Sequence, residues 1–175
     1  MKAAPRILVF TGDGKGKTTA ALGMALRAVG HGLPTLIVQF IKADDSTGEL
    51  PVLKTMAGVE IRQVGLGFVP RADSAAFADH KQAAVRGLEE ATRDLASGKY
   101  RLVILDEICG AAAKGLVPEE SVVAAVRQAP SETIVVLTGR HAGTGLIELA
   151  DTVTEMRCVR HGHQRGLKAQ RGVEF

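Results

Sequence analysis

The stretch Ile7-Leu8-Val9-Phe10-Thr11-Gly12-Asp13-Gly14-Lys15-Gly16-Lys17-Thr18-Thr19-Ala20-Ala21 decides the fold. Its first four residues are a continuous apolar run, which predicts a strand buried on both faces, as in a parallel sheet. Residues 16–29 then place Ala20, Ala21, Met24, Ala25 and Ala28 on one helical stripe, and Gly30 and Gly32 stop the helix. Strand, glycine-rich loop and helix in that order form the setting of a phosphate-binding P-loop. There, backbone N–H groups converge on phosphate oxygens at a helix N-terminus, Lys17 neutralises phosphate charge, and the Thr18 hydroxyl ligates Mg2+. The strict spacing G-x-x-x-x-G-K-[ST] requires Gly at position 11, where this chain has Thr11, so the loop is a variant.

The rest of the chain repeats the same alternation. Residues 35–41 and 102–105 are further buried strands, 133–137 a fifth strand and 152–156 a sixth. Residues 59–64 alternate polar and apolar, which suggests a strand at a sheet edge. A long helix is expected over 73–97, where Phe77, Ala84, Leu88, Ala91 and Leu95 recur at helical spacing, and another through Gln128 with Pro118 in its first turn. Strands alternating with helices predict an α/β fold with a mostly parallel sheet flanked by helices, in one domain over residues 1–175. The segment 65–72 is the least regular and reads as a functional loop.

Composition narrows the function classes. With 175 residues the chain can bury about 70% of its extended surface, enough for one core without disulfides. The net charge of +3, from 22 basic and 19 acidic residues, is a mild basic bias. Five Phe, one Tyr and no Trp are too few for a nucleic-acid surface built on several stacked rings. Cys109 and Cys158 match no zinc spacing and read as free thiols in a reducing compartment. Four apolar residues after Met1–Arg6 are too few for a signal peptide, and no apolar run nears about 18 residues, so a cytoplasmic protein without a membrane span is expected.

Asp106-Glu107 follow the strand 102–105 as a Walker-B-like pair, and in a parallel sheet they end on the same edge as the P-loop. They are candidate partners of a loop-bound Mg2+; the alternative for Asp106 is a helix cap. Arg140, after Thr138-Gly139, reads either as a phosphate contact or as a surface ion pair. The tail carries Arg157, Arg160, His161, His163, Arg165, Lys168 and Arg171. Such a run reads as a solvated face, or as a surface for a substrate or a nucleic acid. His161-Gly162-His163 has no third partner that would make it a metal pair.

Several blocks together resemble the ATP:corrinoid adenosyltransferases of the CobA/BtuR/CobO type. They are the loop from Thr11 to Ala21, Gly30-His31-Gly32, Val38-Gln39-Phe40-Ile41-Lys42, Gly48-Glu49, Gly67-Phe68, Leu105-Asp106-Glu107 and Thr138-Gly139-Arg140. Ala150-Asp151-Thr152-Val153-Thr154-Glu155-Met156 and the closing 166–175, Gly-Leu-Lys-Ala-Gln-Arg-Gly-Val-Glu-Phe, complete the set. The resemblance covers nearly the whole chain, and it implies a RecA-like P-loop fold and a homodimer. The implied reaction transfers the 5′-deoxyadenosyl group of ATP to the Co(I) of a reduced corrinoid (cobalamin, cobinamide or cobyrinic acid diamide) and releases triphosphate. It implies that Gly12, Asp13, Gly14, Lys15, Gly16, Lys17, Thr18 and Thr19 bind the triphosphate, in the reverse sense to ordinary NTPases. Lys15, Lys17 and Arg140 would neutralise the leaving group. Thr18 and Glu107 would hold Mg2+ (or Mn2+), with Asp106 behind them, and a flavin-type reductant would supply Co(I).

Phe68 would contact the lower face of the corrinoid. The family usually continues Phe-Thr-Trp there, whereas this chain reads Phe68-Val69-Pro70. Two expectations follow: Phe68 alone closes the lower face, or the preferred corrinoid lacks a lower base. The family often has a longer N-terminal arm that covers the active site across the dimer; with about six residues before the first strand, that lid is expected to be absent here. The alternatives are a RecA-like P-loop ATPase acting on nucleic acid through the basic tail, or a kinase. Either would release ADP, where the transferase releases triphosphate.

Overall fold

The computed structural model describes residues 4–174. Phe175 of the C-terminal block, the first three residues and the His163 side chain lie outside the described part. In chain order the elements are β1 (Arg6–Thr11), α1 (Lys17–Gly30), β2 (Thr35–Gln39), α2 (Glu49–Thr55), β3 (Val59–Gln63) and α3 (Phe77–Ser97). They continue with β4 (Leu102–Asp106), α4 (Ile108–Ala113), α5 (Glu119–Val126), β5 (Ile134–Thr138), α6 (Thr144–Leu149) and β6 (Thr152–Glu155). A 3-10 turn, Gly162–Arg165, follows.

The six strands form one parallel sheet in the order β3-β2-β4-β5-β1-β6. The continuous apolar runs exist because both faces are covered. Leu102 and Ile104 join Phe10, Ile37 and Val136 under Ala21, Ala25 and Ala28 of α1. Val103 and Leu105 face the other way, with Val9, Val38 and Leu137, against α3, α5 and α6. The small-residue stripe of α1 lets that helix lie close to the sheet.

β3 is an edge strand, as its alternation predicted, and all five of its residues are half-buried. The Arg62 guanidinium ties it to α3, donating to Asp94 at 2.6 Å and to Glu60 at 2.5 Å. The Tyr100 hydroxyl also donates to Glu60. These partners, the Tyr100 hydroxyl foremost, hold the Glu60 carboxyl down at about 2.

Several boundaries differ from expectation, and α5 ends at Val126, two residues before Gln128. The long helix begins at Phe77 because 73–76 form a turn, with the Ser74 N–H donating to Arg71 O at 2.9 Å and the Phe77 N–H to Ser74 O at 3.0 Å. Pro118, at ψ 138°, is extended and stands just ahead of α5, not inside it. β2 ends at Gln39, two residues early, because the chain turns there to bring Lys42 toward β4. Segment 65–72 has no regular structure, as expected. Cys109 is buried and Cys158 exposed, both as free thiols, and burial pushes the Cys109 thiol up to about 12. No helix among the described residues is long and apolar enough to cross a membrane.

Candidate functional site

All strands run the same way, so Thr11, Gln39, Asp106 and Thr138 end β1, β2, β4 and β5 on one edge of the sheet. The loop 12–16 rises from that edge into α1, whose first turn has Gly16 ahead of it and no side-chain cap. The amides of that turn are thus open to an anion. A cavity of about 680 Å³ lies against the loop. Asp13 through Thr19 line it, with Glu107 and Arg140 from the ends of β4 and β5. The structure therefore gathers the loop, the β4 carboxylate and Arg140 on one rim, and Asp106 stands directly beneath.

Asp106 is the hub of this edge. It is 1% exposed, and both of its oxygens are engaged. Oδ1 accepts the hydroxyls of Thr18 at 2.8 Å and Thr138 at 2.7 Å. Oδ2 accepts the Gln39 amide at 3.1 Å and pairs with Lys42 Nζ at 3.4 Å. The helix-cap reading of Asp106 is thereby corrected: α4 has no side-chain cap, because both carboxylate oxygens point back into the sheet edge.

Glu107 is set apart by its backbone. Its φ of 61° is left-handed, one of two positive values among the described non-glycine residues, and its N–H donates to Thr138 Oγ1 at 2.9 Å. This turn swings the side chain from the sheet into the cavity wall, where no hydrogen bond among the described residues engages it. Burial, then the neighbouring Asp106 charge, pushes its carboxyl above the usual range. A divalent cation would relieve that cost, and a carboxylate and a hydroxyl are hard oxygen donors of the kind Mg2+ takes. Thr18 donates its proton to Asp106, which leaves its oxygen lone pairs for a cation. The described residues hold no group of three or more His, Cys, Asp or Glu able to bind a metal. A cation here would therefore take few protein ligands and fill its shell with phosphate oxygens and water.

Lys17 is 7% exposed, and its Nζ donates to the carbonyls of Gly12 at 2.6 Å and Gly14 at 2.7 Å. Burial, opposed by the Glu107 charge, lowers its pKa. Lys15, Asp13 and Thr19 are exposed on the loop. Arg140 is exposed with Nε 4.0 Å from Asp13, so the surface pair exists at the cavity rim itself.

The glycines of the loop are required by a contact that spacing does not reveal. Beyond β6 the chain lies on the loop: the Met156 N–H donates to Thr11 O at 2.8 Å, and the Gly14 N–H to Met156 O at 2.7 Å. A Cβ on Gly12 would stand 2.5 Å from Met156 O, at a φ of 93° that side chains rarely adopt. Gly12→Ala is therefore expected to destabilise the protein by about 3 kcal/mol, combining backbone strain with a clash against fixed backbone. Thermal unfolding should show a fall of roughly 6–12 °C; a change under 2 °C would sink this account.

Several site groups were not assigned a role from the sequence. Gln39, 1% exposed at the end of an apolar strand, was the readable signal: a polar residue buried there needs a partner, and Asp106 is it. Lys42 and Glu49 pair at 3.3 Å and close one side of the cavity. Gly172, Val173 and Glu174 of the tail close another, with His161. Phe68 is 94% exposed, on a loop held to the same sheet edge by the Gly67 N–H donating to Ile41 O at 2.9 Å; it does not line the cavity. Its neighbour Val69 is buried in the core.

The family described as ATP:corrinoid adenosyltransferase BtuR/CobO/CobP matches residues 3–175. A corrinoid adenosyltransferase of Escherichia coli (strain K12) is 41% identical over 174 residues, covering 97% of this chain and 85% of the relative. The corrinoid adenosyltransferase CobA of Salmonella typhimurium is 40% identical over the same length, with the same shares. That of Pseudomonas aeruginosa is 41% identical over 170 residues, covering 97% of this chain and 83% of the relative.

Proposed function

The chain belongs to the ATP:corrinoid adenosyltransferase family, and from that premise we infer that it transfers the 5′-deoxyadenosyl group of ATP to the Co(I) of a reduced corrinoid, in cobalamin biosynthesis. The reading is carried by one cavity that gathers the loop 13–19, Glu107 and Arg140 over a buried Asp106. Nothing in the comparisons favours an ATPase acting on nucleic acid.

The chemistry asks little covalent work of the protein. The electron pair of Co(I) forms the Co–C5′ bond as the C5′–O5′ bond breaks, its pair leaves with triphosphate, and cobalt ends as Co(III). No side chain need act as nucleophile or base. The residues must hold C5′ in line with cobalt and neutralise a leaving group of high charge. Lys17, fixed beneath the loop, and Lys15 and Arg140 on its rim suit that task. Thr18 and Glu107 would hold Mg2+ or Mn2+, with Asp106 orienting the Thr18 hydroxyl; the cation would supply further charge neutralisation.

A RecA-like P-loop fold is supported by β5 standing between the loop strand β1 and the carboxylate strand β4. The homodimer, a flavin-type reductant for Co(II) and a cytoplasmic setting rest on the family resemblance. The resemblance puts Phe68 against the corrinoid, and its exposure on a loop at the same sheet edge supports that reading, whereas Val69, where the family has a further residue of the block, is buried. Phe68→Ala should raise the corrinoid KM about tenfold, the effect of losing one ring's apolar contact. The ATP KM and the unfolding temperature should not move. An unchanged corrinoid KM would remove Phe68 from the site. With only this ring to close the lower face, turnover on cobinamide should exceed that on cobalamin.

The deciding experiment supplies chemically reduced corrinoid and MgATP, then follows the light-sensitive Co–C spectrum and the phosphate product together. Stoichiometric triphosphate is the expected result. ADP with an unchanged corrinoid spectrum would overturn the reading.

A further inference from the structure

Beside the phosphate loop, and sharing wall residues with the main cavity, lies a second cavity of about 420 Å³. Lys15, Arg157, Cys158, Val159, Arg160, His161, Gly162 and Glu174 wall it, and Lys15, His161 and Glu174 belong to both cavities. We propose that this second cavity is an anion site, in which Lys15, Arg157 and Arg160 take the charged end of a polyphosphate chain.

Three observations lead there. The first is charge. Lys15, Arg157 and Arg160 are exposed, and no carboxylate among the described residues lies within ion-pairing distance of any of them. The one acid in the wall, Glu174, accepts the Gln170 N–H at 2.9 Å and so is held in its own turn. Three cations facing one acid leave the wall with an excess of positive charge, and a multiply charged anion offsets their repulsion. Two guanidinium groups are suited to phosphate, which they can bind through two parallel N–H donors.

The second observation is placement. Arg157 follows Met156, whose N–H and carbonyl are bonded to Thr11 O and the Gly14 N–H. The arginine-bearing segment is thus fastened to the loop, not merely near it.

The third concerns what the loop has left to give. Lys17 Nζ is engaged by two loop carbonyls, and the Gly14 amide by Met156 O. One loop amide and two of the three Lys17 donors are thus committed to the loop itself, and a long phosphate chain that outruns the loop meets the exposed cations beside it next. Lys15 stands at the junction, and the arginines continue from it.

This inference rests on the transferase reading for its choice of a triphosphate chain as occupant. Two sources share that chemistry: the chain end of bound ATP, and the triphosphate released from it. The test is calorimetric binding to the intact protein without corrinoid, with inorganic tripolyphosphate, MgATP and AMP as separate ligands. The Arg157→Ala/Arg160→Ala double variant should bind tripolyphosphate about tenfold or more weakly and AMP within twofold of the parent. The Arg157→Lys/Arg160→Lys double variant should recover part of the loss. A parallel loss for MgATP identifies the chain end of bound ATP; a loss for tripolyphosphate alone identifies the released product. Unchanged tripolyphosphate binding, equal losses for AMP, or a parent that does not bind tripolyphosphate would each overturn the proposal. Because corrinoid is absent, its failure is separable from that of the transferase reading: a protein that uses these arginines but never alkylates cobalt keeps the anion site and loses the reaction.

Discussion

Replacing Lys17 by Ala is expected to lower kcat/KM for adenosyl transfer about a thousandfold, or roughly 4 kcal/mol of transition-state stabilisation. The magnitude follows from position. The ammonium is 7% exposed, its Nζ is 2.6 Å from Gly12 O and 2.7 Å from Gly14 O, and Glu107 and Arg140 share its cavity. In the proposed reaction it would supply fixed positive charge where the leaving group gathers negative charge, and it would keep the Gly12 and Gly14 carbonyls occupied. Without it, two carbonyl dipoles lose their donor and face incoming phosphate with the wrong sign. Lys17→Arg should not rescue, because a planar fork does not fit a site shaped around a point charge between two carbonyls. Initial rates of Co–C bond formation across an ATP titration would check this; activity within tenfold of the parent would remove Lys17 from the reaction.

The second large effect concerns folding as much as activity. Asp106→Ala is expected to cost about 3–5 kcal/mol, the range for removing one partner of a buried charged network. Three donors lose their acceptor at once, the hydroxyls of Thr18 and Thr138 and the Gln39 amide, and the Lys42 ammonium is left with Glu49 alone. Asp106→Asn keeps the volume but turns one acceptor into a donor against groups that already donate. Only the hydroxyls can turn to accommodate it, so about half the cost should remain. Denaturant unfolding of the three proteins measures both numbers. A loss under 1 kcal/mol for Asp106→Ala would mean that the hub is not what holds this edge together. Activity should fall in both variants, because the Thr18 hydroxyl loses the partner that orients it.

The sheet was readable because its strands are buried on both faces and so leave unbroken apolar runs, as in Leu102–Leu105. The loop was readable because its glycines and Lys17 sit between such a run and an alanine stripe. Helices α2, α4 and α6 were not. Each has only six or seven residues, too short for a period to emerge, and α4 exists because Ile108, Cys109 and Ala111 are packed against the sheet. The candidate site divides the same way. Its charged residues carry local motifs, whereas the lock between Gly14 and Met156 joins residues far apart in sequence and leaves no trace in either segment. Gln39 lies between these cases: it is a polar residue in an otherwise apolar strand, but its partner is identifiable only from the register that sets Gln39 beside Asp106.

That register also constrains the length of β4. Along β4, odd and even positions feed opposite layers of the core, and the strand's last residue is the carboxylate that fastens Thr18, Thr138, Gln39 and Lys42. A one-residue insertion or deletion between Leu102 and Leu105 would exchange the two layers and, in the same step, withdraw the carboxylate from the edge. A folded interior and the carboxylate hub therefore depend on one spacing, so a change of length within this strand would cost both at once.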